Sequence, residues 1–209
     1  MRLLVYTRTT GYRHDSIPAG VEALRGLGGF DVDATEEFPA GDLAGYAVIV
    51  FLSTSGTVLD DRGRDAFRAY MAGGGSWLGI HGASTTEYEW PWFEGIAGAR
   101  FVSHPPLQTA TVNVEDGEHP ATSHLPAAWR WADEWYEFRA NPRPRVRVLL
   151  TVDERSYQGG AMGADHPIAW CHTYGGGRCS YTALGHPAEA FGDPAFVQHL
   201  RGALEWLTD

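Results

Sequence analysis

The chain contains no lysine, and all 16 of its basic residues are arginine. That excludes a Schiff-base lysine, a pyridoxal-phosphate anchor and a P-loop lysine. Cysteine is nearly absent: Cys171 and Cys179 are the only two. They flank Gly175 to Gly177, so a hairpin there predicts two free thiols near each other on one face, in a cytoplasmic protein. There is no Cys-x-x-Cys pair and no Asp-rich calcium loop. His119 and His124 lack the helical spacing, with a glutamate between, of a zinc protease motif. No apolar run is long enough to span a membrane, and that of the opening "MRLLVYTRTT" is too short for a signal peptide. Positive charge is scarce too, at 16 basic against 26 acidic residues, for a net charge of -10. An acidic surface repels phosphate backbones, so neither nucleic acid nor membrane is an expected partner. Arg143, Arg145 and Arg147 read as a solvated loop before a strand.

What is present fits one globular domain over 1–209, with 44% hydrophobic residues to build a core. Leu3 to Tyr6 is a short buried strand, and Ile17, Val21 and Leu24 follow at helical spacing behind Ser16 and Pro18. "FDVDATEE" alternates like a strand. "YAVIVFLS" is continuous and β-branched, as a strand buried on both faces should be. Gly63, Ala66, Phe67, Tyr70 and Met71 form a helical stripe, started by Asp60 and Asp61 and stopped by Gly73 to Gly75. "SWLGI" is the next strand. This alternation predicts an α/β, three-layer αβα sandwich with a mainly parallel central sheet. In the second half, "TATVNV", "RVLLTVD", "PIAWCHTY" and "RCSYTALG" read as antiparallel additions and hairpins. Asp193, Pro194 and the stripe Phe196, Val197, Leu200, Ala203, Leu204 and Leu207 predict a closing helix.

Ligands of open α/β sheets bind beyond the carboxyl ends of the strands. In "GGGSWLGIHGAS" a strand runs into a glycine-flanked turn, the layout of a nucleophile elbow. The residue displayed there is His81, not Ser or Cys. A flavodoxin-like strand order would converge on it Arg13, His14 and Asp15 from the first loop and Ser53 to Ser55 from the third strand. His186-Pro187 with Glu189 suits a base with its orienting carboxylate. Read as a strand, "ADEWYEF" turns Asp133, Trp135 and Glu137 one way and Glu134, Tyr136 and Phe138 the other. Glu134 beside Tyr136 offers an acid–base group and a hydroxyl donor. Trp90, Trp92, Phe93, Trp129, Trp131 and Trp135 read as core, with a sugar-stacking wall as the alternative. A metal on His14, His81 and His186 has no support from spacing.

The ordered series "GYRHDSI", "YMAGGGSWLGIHGAS", "ARFVSHPP", "EHPATSHLP", "DEWYEF" and "YGGGRCSYTALGH" resembles the trehalose-utilisation (ThuA-like) family over nearly the whole chain. That family is similar in fold to the class I glutamine amidotransferases, which the resemblance therefore implies here, flavodoxin-like order included. By this comparison His81 stands in the place of the amidotransferase cysteine and His186 matches the late histidine. Glu189 lies one residue beyond the usual glutamate. The resemblance implies no glutaminase activity, and a sugar ligand, a disaccharide or its 3-keto derivative, handled by acid–base chemistry. The catalytic candidates are His81, Glu134 and His186. The substrate-binding candidates are His14, Arg13, Tyr136, His104 and Trp135. No cofactor is expected, while a divalent metal and a homodimer stay open. A metal-assisted hydrolase and a non-catalytic sugar-binding module are the alternative functions.

Overall fold

A computed structural model describes residues 1–41 and 43–209. The chain alternates as β1 (Arg2–Tyr6), α1 (Ile17–Gly26), β2 (Asp31–Thr35), β3 (Val48–Leu52), α2 (Asp61–Ala72) and β4 (Ser76–Ile80). All five residues of β3 and all five of β4 are buried, because helices cover both faces of the sheet. Asp60 caps α2 by accepting from the Gly63 N–H, and Gly73 ends it. Phe51, Phe67 and Phe93 stack in the layer between the sheet and α2, with ring centroids 5.5 Å apart from Phe51 to each of the other two.

After α3 (Pro91–Ala97) come β5 (Phe101–Ser103), β6 (Gln108–Val114), β7 (Ala128–Asp133), β8 (Glu137–Phe138), β9 (Arg147–Asp153), β10 (Pro167–Tyr174), β11 (Gly177–Thr182) and α4 (Pro194–Thr208). The main sheet has the order β2-β1-β3-β4-β11-β10-β9-β6-β7. Its first five strands are parallel, the flavodoxin-like arrangement. One expectation changes: β11 pairs in parallel with β4 and so completes the parallel half. The strands beyond it are antiparallel. Asp193 caps α4 by accepting from the Ala195 and Phe196 N–H groups.

Two local readings are corrected, and the tryptophans keep theirs. The β10–β11 hairpin pairs Cys171 with Ser180 and His172 with Cys179. The thiols are therefore one residue out of register and point to opposite faces. "ADEWYEF" is not one strand: β7 stops at Asp133, Glu134 to Tyr136 form a connection, and β8 starts at Glu137. The tryptophans are packing residues: Trp129 lies against Trp131, 4.3 Å between centroids, and Trp131 against Phe196 of α4. Of the basic run, Arg143 pairs with Asp165 and Glu115, and Arg147 with Asp116. No helix among the described residues is long and apolar enough to cross a membrane.

Candidate active site

The parallel strands β1, β3, β4 and β11 deliver four loops to one end of the sheet. His81 directly follows β4 and adopts a left-handed conformation with φ 49°, followed at once by a 3₁₀ turn over His81–Thr85. This is the strained turn of an elbow, and such a φ costs on the order of 1–3 kcal/mol in a non-glycine residue. Buried contacts hold it. The Tyr181 hydroxyl of β11 donates to the His81 carbonyl at 2.8 Å, and the His81 imidazole Nδ1 lies 2.7 Å from the Ala183 carbonyl. A carbonyl only accepts, so Nδ1 carries a proton and Nε2 faces the site. Ser53, at the end of β3, is also left-handed, with φ 47°. Gly82 lets these turns pass: a Cβ there would sit 3.1 Å from His14 Cε1 and 3.2 Å from Ser53 Cα.

His14 arrives from the β1–α1 loop, 5% exposed, its ring edge-on to His81 at 4.6 Å and to His186 at 5.4 Å. Its Nδ1 is buried without a hydrogen-bond partner. Burial, then the neighbouring imidazoles, push its pKa down to about 3, so the ring is neutral. His186 follows β11, and its Nδ1 lies 3.0 Å from Glu134 Oε2 and 3.3 Å from His81 Nε2. The hydrogen bond to Glu134 raises the His186 pKa against the opposing effect of burial. Burial works to raise the Glu134 pKa, but the hydrogen bond from His186 and the neighbouring imidazoles outweigh it and hold the carboxyl below its usual range. Glu134 Oε2 is also 3.6 Å from His81 Nε2 and 3.5 Å from His104 Nε2. The Tyr136 hydroxyl is 2.9 Å from His81 Nε2, to which it donates.

Glu134 reaches this place because Asp133 ties the end of β7 to the loop after β11. In a flat sheet β7, four strands from β11, would lie about 19 Å away at about 4.8 Å per strand. Instead Asp133, wholly buried, accepts the Gly185 N–H at 2.8 Å and the His186 N–H at 3.1 Å. It also accepts from the Trp131 indole and the Glu134 N–H, each at 2.9 Å. Asp133 thus joins the end of β7 to the loop after β11 and sets both Glu134 and His186.

Above the cluster opens a cavity of about 550 Å³, walled by Tyr12, Tyr88, Phe101 and Tyr136, with His14, His104 and Glu134 adding polar groups. That volume suits a small molecule. The structure brings His14, His81, Glu134, Tyr136, His186 and His104 together. Three residues do not join them. Arg13 turns away to the Thr7 carbonyl and Glu36. Trp135 is fully buried, its indole donating to the Gln108 carbonyl and its ring lying against Tyr157. Glu189 is exposed, and the carboxylate beside His186 is Glu134. Sequence reasoning missed Asp133 as a joint and Tyr12, Tyr88 and Phe101 as walls. Its only signal for Asp133 was a place beside Glu134.

The model of the trehalose-utilisation (ThuA) family matches residues 2–207. The chain belongs to the ThuA family. Among solved structures it is similar to a ThuA-like protein of Bacteroides uniformis ATCC 8492, at 29% identity and TM-score 0.80, over 99% of this chain and 91% of that one. It is also similar to a ThuA-like protein of Parabacteroides merdae ATCC 43184, at 24% identity and TM-score 0.81, over 99% and 89%. Cytoplasmic protein STM3548 of Salmonella typhimurium, at 15% identity and TM-score 0.68 over 99% and 98%, shares the fold. No curated protein matches the chain. In this ThuA-family chain the elbow position carries a histidine, and both cysteines sit inside β10 and β11, buried.

Proposed function

We propose that this ThuA-family protein acts in carbohydrate catabolism on a disaccharide or its 3-keto derivative, by acid–base chemistry at the cavity floor. The observation that carries this reading is the Glu134–His186 pair, 3.0 Å apart, beneath a cavity with aromatic walls. Aromatic faces suit the apolar faces of a sugar ring, and the imidazoles and hydroxyls suit its oxygens. A keto group acidifies the C–H beside it. Glu134, held as a carboxylate, is placed to take that proton. His186, whose imidazole Glu134 keeps protonated to higher pH, is placed to return one to oxygen or carbon. His81 acts through Tyr136: by accepting the phenol's hydrogen bond on Nε2 it turns the hydroxyl oxygen's lone pairs toward a substrate hydroxyl. Glutamine hydrolysis by the amidotransferase route is absent in this reading, because imidazole is a poor substitute for a thiolate in forming a thioester.

The test is binding and product analysis with disaccharides and their 3-keto forms. At least one should bind and turn over. Glu134→Gln, close to isosteric, should fold and bind but lose turnover by about 100-fold or more, the usual scale of general acid–base catalysis. Failure of every such sugar to bind the folded protein, or full activity in Glu134→Gln, would overturn the reading.

A further inference from the structure

The four groups at the centre of this site are arranged as metal ligands. One donor atom each from His14, His81, Glu134 and His186 lies within 4.8 Å of the other three. Three of the edges between them are 3.0, 3.3 and 3.6 Å: His186 Nδ1 to Glu134 Oε2, His186 Nδ1 to His81 Nε2, and His81 Nε2 to Glu134 Oε2. Tetrahedral zinc with bonds of about 2.0–2.1 Å separates its ligand atoms by about 3.3–3.4 Å. The triangle has that size before any ion is placed in it.

The supporting contacts match what a metal site needs. His81 gives Nδ1–H to the Ala183 carbonyl at 2.7 Å, which fixes the tautomer with an unprotonated Nε2, the acceptor of the Tyr136 hydroxyl, on the cluster side. His186 and Glu134 are both anchored through their backbone N–H groups to the buried Asp133. His14 supplies independent evidence. It is 95% buried by its 5% exposure, lies against the rings of His81 and His186, and leaves Nδ1 without a partner. A buried polar atom left unpaired costs about 1–3 kcal/mol and calls for an explanation. Three imidazoles and one carboxylate form a nitrogen-rich set, suited to zinc and neighbouring divalent transition metals rather than to magnesium or calcium, which prefer all-oxygen shells.

We propose that His14, His81, Glu134 and His186 bind one divalent transition-metal ion of the zinc class at the floor of the cavity. The inference rests on the sugar-site reading for the ligand and moves Glu134 and His186 from proton transfer to holding the ion. The ion replaces the proton shared by His186 and Glu134 and offers a Lewis acid to a sugar carbonyl or hydroxyl pair. Tyr136 and His104, at the rim of the cluster, then remain as the proton-bearing groups that face substrate.

The experiment uses the full chain purified without a histidine tag, stripped with chelator and titrated with Zn²⁺ and with Co²⁺. Calorimetry and elemental analysis should give one ion per chain, and Co²⁺ should develop the strong visible bands of a tetrahedral nitrogen–oxygen site. Zn²⁺ should also raise the melting temperature of the stripped protein. His14→Ala and His186→Ala should each weaken binding by about 100-fold, whereas His124→Ala, at an exposed histidine, should leave it unchanged. No stoichiometric uptake by the folded wild type, or uptake unaffected by both site variants, overturns the metal proposal. Sugar turnover by metal-free protein would overturn it while sparing the sugar reading. Tight metal binding with no affinity for any disaccharide or 3-keto form would sink the sugar reading and leave the metal site standing.

Discussion

Asp133→Asn separates a charged joint from a neutral one. The carboxylate of Asp133 is wholly buried and receives two N–H donors on each oxygen: Glu134 and His186 on Oδ1, Trp131 and Gly185 on Oδ2. Burial pushes its pKa above the usual carboxylate range, and the nearby His81 and these N–H groups pull the other way. All four partners are donors. A proton on Asp133 would have no acceptor, so the geometry requires the ionised form at neutral pH. Asparagine keeps the shape but turns one oxygen into NH₂, which then faces two N–H groups whichever way the amide is flipped. Two buried, charge-assisted hydrogen bonds are lost, at about 1.5–3 kcal/mol each, so the variant should be roughly 3–6 kcal/mol less stable. That is a large part of a typical folding stability of about 5–15 kcal/mol. Urea unfolding at neutral pH measures it as a lower midpoint. Because Asp133 also sets Glu134 and His186, the folded variant should bind Zn²⁺ and sugar more weakly. If Asp133→Asn unfolds within about 1 kcal/mol of wild type, the buried residue is a neutral acid and the charged-joint argument is wrong.

Other predictions address separate parts of the molecule. Burial holds the imidazole of His199, bonded to the Ala121 carbonyl, down at about 4. The unfolded chain binds that proton near pH 6.5, so stability is full above that pH and falls as pH drops toward about 4, by up to roughly 3 kcal/mol. Urea titrations at pH 7.5 and 4.5 should show a smaller pH difference for His199→Gln, and an equal difference would remove His199 as the cause. Gly82→Ala brings a Cβ to 3.1 Å from His14 Cε1 and 3.2 Å from Ser53 Cα. The backbone of Ser53 yields less readily than a side chain, so His14 shifts. Zn²⁺ affinity should fall by about 10-fold or more in a protein that still folds, and wild-type affinity would show that His14 is not needed. Glutamine should release no ammonia above a buffer control. His81 holds the elbow, and burial pushes the Cys171 thiol up to about 11 and that of Cys179 higher still. Glutaminase activity that survives Cys171→Ser with Cys179→Ser would show that the elbow has been misread.

Local rules reached far into this protein. The apolar runs of β3 and β4, the stripe on α2, and Asp193-Pro194 before α4 are signals carried within a few residues, and each element forms where they place it. The elbow was legible for the same reason: a strand, then a reactive side chain between small residues, is a local pattern. Once those strands are parallel, topology alone brings His14 and His81 to one end of the sheet. The contacts that complete the site depend on the fold of the whole chain. "ADEWYEF" has the alternation of a strand, but β7 ends at Asp133, whose bonds to the loop after β11 bring Glu134 to His186, 52 positions later in the chain. The pairing of Cys171 with Ser180 rather than with Cys179 is a matter of register, which the glycine run between the thiols leaves open. Arg13 and Trp135 carry side chains suited to a sugar site, yet one meets Glu36 and the other the core. Sequence determined which side chains could do chemistry and at which end of the sheet. Only tertiary structure decided which of them meet, because hydrogen bonds such as those of Asp133 join segments whose separation along the chain conveys nothing about their distance in space.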